Sequence, residues 1–175
     1  MSQTRSIPQT QFPGDDGAPE ESVRAALAAA ERDPGPQSYL DAVAELCLTR
    51  LMVPVMASGP TAEQHSALSV VLVRAGDRAA MLAFTGLDAL HRWDPGGRPV
   101  LVTLDAAAGA AVAESADALL VDLAGPHPLE LVGEVLAELA AGHRLVRLRD
   151  GFGWMVPPSS VGRPAGEGAD PAAGV

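Results

Sequence analysis

Four histidines, His65, His91, His127 and His143, are the first side chains to test for chemistry, because imidazole ligates metals and moves protons near neutral pH. No two stand at i, i+4, and no cysteine lies at ligand spacing from any of them, so the pattern that puts two ligands on one helix face is missing. His127, before Pro128, reads as a loop or cap residue, and His143 follows the stop at Gly142. Cys47 falls near the C-terminal end of an apolar helix face, where a thiol is buried rather than activated. Ser58 lies between Ala57 and Gly59-Pro60, outside the Gly-x-Ser-x-Gly frame of a nucleophile elbow. Gly151-Phe152-Gly153 has neither a third glycine nor a following helix to cradle a phosphate. Thr85 and Asp88 could serve as hydroxyl and acid, but helix capping accounts for both residue types and their spacing. These residues predict no catalytic, metal or cofactor site.

One surface stands out for binding. Arg147 and Arg149 alternate with Val146 and Leu148 and are followed by Phe152 and Trp154, and Arg and Trp are enriched where binding energy concentrates. The plainer alternative is that the arginines pair with nearby acids while the rings cover a sheet end.

The elements that position these residues follow from periodicity. Val23, Ala26, Leu27 and Ala30 mark one helix, stopped by Pro34-Gly35-Pro36, and Leu40, Val43, Ala44 and Cys47 mark a second, with Ser38 and Asp41 at capping spacing. Residues 50–57 alternate as a strand in which Pro54 cannot donate, which places it at a sheet edge. A polar loop over 58–64 leads to a hairpin, 66–74 and 78–84, turning at Gly76-Asp77. A short helix capped at Thr85 ends before Pro95, a strand covers 100–104, and an Ala-rich helix capped by Asp105 covers 106–115. A strand over 118–123 precedes a helix opened by Pro128 and ended by Gly142, with Leu129, Val132, Leu136 and Leu139 or Ala140 inward. An extended element over 144–156 closes the chain's ordered part, and residues 1–19 and 157–175 read as disordered tails. The expectation is a single α+β domain over 20–156, with a mixed β-sheet flanked by helices.

Composition narrows function. The net charge of −10 and pI near 4.7 oppose phosphate-backbone binding, so nucleic acid is excluded as a partner. All 12 basic residues are arginine, which removes lysine chemistry. A single cysteine and no apolar leader or membrane-length stretch predict a cytoplasmic, non-inserted protein. With aromatics at 3%, the core must be built of Ala, Val and Leu.

Four pieces together, Leu51-Met52-Val53-Pro54-Val55, Leu82 through Leu90 with its Phe84-Thr85 pair, Trp93-Asp94-Pro95, and Gly125 through Leu131, resemble the SseB N-terminal domain of bacterial proteins. The resemblance spans 21–139 and implies a fold and an accessory role, since the family has no agreed biochemical activity. Relative to longer members, the chain is expected to lack a second domain. The leading expectation is a non-enzymatic protein-binding module, docking at the sheet edge 53–56 or at Arg147, Arg149, Phe152 and Trp154. The alternative is a small-ligand binder or enzyme with a loop site at His65 and His127. Homodimerisation is compatible with the first.

Overall fold

The structure, a computed structural model, describes residues 12–58 and 67–158. Two helices open the fold, α1 (Glu21–Arg32) and α2 (Pro36–Leu46), followed by strands β1 (Arg50–Ser58), β2 (Ala67–Val70), β3 (Leu72–Ala75) and β4 (Arg78–Ala83). Helix α3 (Leu87–Trp93), β5 (Arg98–Thr103), α4 (Leu104–Ala113), β6 (Ala118–Val121), β7 (Leu129–Val132), α5 (Gly133–Ala140) and a terminal hairpin, β8 (Arg144–Leu148) and β9 (Gly151–Met155), complete it.

The strands form an order β2-β1-β5 and an order β3-β4-β6-β7, which one bent strand and one bridge join. Between β2 and β3 only Val71 intervenes; its N–H donates to Pro54 O at 3.3 Å and its carbonyl accepts from Leu82 N–H at 3.4 Å, so the bend hands the strand from β1 to β4. Met52 and Phe84 exchange two N–H···O bonds of 2.8 Å and close the join. Only β4 and β6 run parallel among the described pairs, which makes the sheet mixed as expected.

The main core lies under α1, α2, α4 and α5, where Leu27, Leu46, Leu51, Met81, Leu119 and Leu139 are buried. The opposite face carries a smaller cluster, Met52, Leu82 and Phe84 under Ala89 and Leu90 of α3, with the Phe84 and Trp93 rings 5.8 Å apart. The two clusters alternate along β4, Met81 and Ala83 to one side and Leu82 and Phe84 to the other, as a strand buried on both faces requires.

Several expectations need correction. Strand β1 is not an edge: it is flanked by β2 and β5, and Pro54 stands opposite Pro99. Because Met52 and Pro54 point their carbonyls toward β4 and Val71, the missing Pro54 donor falls where the bent strand crosses over, and the edge proline is Pro99 of β5. Pro128 opens a strand rather than a helix. Leu129 and Leu131 against outward Glu130 fit period two, four residues pair with β6, and α5 starts only at Gly133, whose φ of +56° makes the break. No side chain caps α2, α3 or α4; Ser38 bonds back to Asp33 O and Gly35 O, while Asp41 and Asp88 hold arginines instead. The 144–156 element folds into a hairpin through a turn at Arg149-Asp150.

Phe84→Ala should lower the unfolding free energy by about 3–5 kcal/mol, because a fully buried ring leaves a cavity, whereas Leu48→Ala, 79% exposed, should stay within about 0.5 kcal/mol. Urea denaturation of the two variants checks the contrast.

Candidate functional site

Parallel β4 and β6 bring their carboxyl ends out side by side, the position where open α/β sheets collect binding crevices. Asp122, directly after β6, donates its N–H to Ala83 O at 2.9 Å and sits at φ +52°, a left-handed conformation that Asp and Asn tolerate better than most residues. Its turn is closed by Gly125, where a Cβ would stand 2.8 Å from Asp122 Cβ. The Asp122 side chain is fully buried; Oδ1 accepts Thr85 N–H at 2.8 Å and Oδ2 accepts the Thr85 hydroxyl at 2.6 Å.

Two arginines complete the cluster. Arg24 of α1 donates Nε to Thr85 Oγ1 at 2.7 Å, stands 3.4 Å from Asp122 Oδ2, and grips Asp88 through both terminal nitrogens at 3.1 and 2.8 Å. Arg50, 6% exposed, donates Nη1 to Thr85 O at 2.5 Å and fills its fork with Asp15, Nε to Oδ2 at 2.6 Å and Nη2 to Oδ1 at 3.0 Å. Thr85 is therefore held at its N–H, hydroxyl and carbonyl by three different segments. Every buried side-chain nitrogen and oxygen among the described residues has a partner, as the cost of leaving one unpaired demands.

Charge follows the same wiring. Burial pushes the Asp122 carboxyl above its ordinary value, against the Thr85 hydrogen bonds and Arg24, which pull it down. For Asp88, burial is the largest influence and works against the charge, but the Arg24 hydrogen bonds, the Ala89 N–H and the charges of Arg24 and Arg92 together hold it below the usual range. The Arg50 hydrogen bonds lower Asp15.

Of the residues singled out from sequence, Arg147 reaches back to α2, 2.7 Å from Asp41 and 3.4 Å from Glu45, and the Asp41 hydrogen bond raises its pKa. Arg149 lies exposed in the β8–β9 turn, while Phe152 and Trp154, half-buried opposite Arg147 and Leu145, pack on the main core. His127 Nδ1 lies 2.6 Å from Glu31 Oε2, and His65 lies outside the described residues. Cys47 ends α2, half-buried, and desolvation raises its thiol pKa. Sequence reasoning missed Asp15, Arg24, Arg50 and Asp122. An Asp ending the run Ala-Leu-Leu-Val and an Arg opening an apolar strand were the available signals.

A second feature lies on the α3 side of the sheet, which α3 covers only in part. Beyond it, Ala80 stands in register with Val73 and Ala118, and these small floors leave an open groove of about 310 Å³ walled by Leu120 and Leu123. Arg74 and Arg78 stand at its rim, Arg78 paired with Glu130 at 3.2 Å.

A family model, the SseB protein N-terminal domain, matches residues 23–138. The chain belongs to this family. Comparison with curated proteins gave no match, and comparison with solved structures gave none either. The matched SseB region runs from α1 into α5 and contains Arg24, Arg50, Thr85, Asp88 and Asp122; Asp15 precedes it and the hairpin follows.

Because the folded pKa of Asp122 is raised, its contribution to stability is full below the ordinary value of 3.8 and is lost as pH rises through the folded value. Asp122→Asn, which tolerates the same φ, should remove that slope, so the stability gap between wild type and variant narrows or reverses from acid toward neutral pH. Asp122→Ala should instead cost about 2–4 kcal/mol, from an unsatisfied Thr85 N–H and left-handed strain. Urea melts across pH 4–8 separate the two.

Proposed function

We propose that this SseB-family chain is a non-enzymatic protein-binding module that docks a partner on the uncovered part of its sheet face. The observation that carries this reading is the groove over Ala80 and Ala118, apolar on its floor and edged by arginine in a chain of net charge −10. Small side chains in register make the floor low, so a partner's apolar side chains can enter between Val73 and Leu120. Arg74, exposed at the rim, supplies an attraction for a carboxylate that most of this acidic surface would repel. The fitting partner is a segment that alternates apolar side chains with Asp or Glu.

The cluster around Thr85 supports a scaffolding role for those residues. Its carboxylates and guanidinium groups are spent on one another, which orients the strand ends and α3 rather than a reacting group.

Affinity purification at native abundance, with a photo-crosslinking residue on the groove rim, tests the reading. The wild type should retain a stoichiometric partner crosslinked through an acidic segment, and Ala80→Glu with Arg74→Glu, still folded by circular dichroism, should lose it. The same partners recovered with both proteins would move the docking site elsewhere and end this assignment.

A further inference from the structure

Residues 12–19, assigned to a tail by composition, lie along the domain as a strap whose attachment is chemically narrow. Asp15 fills the Arg50 fork with two bonds, 2.6 and 3.0 Å, and Ala18 O accepts a third from Arg50 Nη2 at 2.6 Å. Leu87 N–H donates to Gly17 O at 2.8 Å, and Gly17, at φ +81°, is pressed so closely on Leu87 that a Cβ there would stand 2.3 Å from Leu87 Cδ1. Asp15 also accepts Gly17 N–H at 2.8 Å, which fixes the spacing between carboxylate and glycine. The strap places no side chain in either hydrophobic cluster.

We propose that Arg50, Leu87 and the Thr85–Gly86 backbone form a receptor for an extended Asp-x-Gly segment, and that the strap occupies it in cis as a displaceable ligand. The chemistry is specific on three counts. The planar fork of Arg50 selects a carboxylate, the Leu87 N–H selects a carbonyl two residues on, and the left-handed φ of +81° together with the flush contact with the Leu87 side chain selects glycine. Arg50 and Leu87 lie inside the family-matched span of 23–138 whereas the strap precedes it. Release breaks the bonds from Arg50 and Leu87, and the two side chains it uncovers, those of Arg50 and Leu87, lie outside the main core, so the strap belongs to the part of the fold that opens locally. A partner bearing the same three-residue chemistry takes the place of 15–17 and leaves the fold standing.

The test uses the full chain and a fluorescein-labelled synthetic peptide of residues 12–20. Gly17→Val ejects the strap by collision with Leu87 while the receptor keeps every residue; the variant should bind the peptide by fluorescence anisotropy, at least about tenfold more tightly than the wild type, whose own strap competes. A peptide carrying Asn in place of Asp15 should bind at least about tenfold more weakly, as loss of a charge-assisted bond implies. If Gly17→Val does not fold, the full-length Asp15→Asn variant, which keeps the strap's shape but weakens its hold, gives the same reading. A folded variant that binds no peptide, equal binding by wild type, or equal binding of the Asn peptide overturns the proposal. Wild-type dimers that vanish in Gly17→Val would make a second copy's strap the occupant and overturn the partner form.

Discussion

The hydrogen-bonded pair of Thr85 and Asp122 is the constraint on which the sheet's carboxyl end depends. Asp122 is buried at a left-handed φ, and its carboxylate is tolerable there only because Thr85 supplies both an N–H and a hydroxyl and Arg24 approaches within 3.4 Å. Those same contacts fix α1 through Arg24, β1 through Arg50 and α3 through the backbone that follows Thr85. Substituting Thr85, Asp122 or Arg24 strands the other two, so these three act as a unit rather than as separable bonds.

Around this point the fold is economical with aromatic residues. Its main core is aliphatic, and its largest buried side chain, Phe84, lies on the opposite face beside Trp93, one residue before Thr85. The short α3 covers that ring and stops, and alanines at 80 and 118 leave the rest of the face low and open. Packing and exposure on one sheet face thus follow from where a seven-residue helix ends.

Local patterns in the sequence carried the helices α1, α2 and α4, the β3–β4 hairpin and the apolar strands, because each has a period its neighbours do not share. The segment after Pro128 failed because four residues fit a helical and a strand period equally, and pairing with β6 decided between them. Pro54 failed because a missing donor identifies an unpaired direction, not an edge. Thr85 was visible but misassigned: its spacing to Asp88 matches a cap, while its hydrogen bonds run to Asp122 and Arg24, 37 and 61 residues away. Nothing in the order of residues pairs Arg50 with Asp15 or Arg24 with Asp122; those partnerships exist only once β1, β4 and β6 are assembled. The family resemblance held: its four pieces, β1, the β4–α3 junction, the Trp93 turn and the turn into β7, all lie within the matched span of 23–138.

Native-state hydrogen exchange of the Thr85 amide, followed by NMR on the full chain, measures directly whether the fold depends on this pair. If Asp122 anchors the carboxyl end of the sheet, that amide exchanges only through global unfolding, with the same free energy and denaturant dependence as Met81 and Leu119 in the core strands. Exchange of Thr85 through a low-energy local opening, while Met81 and Leu119 stay protected, would contradict the account.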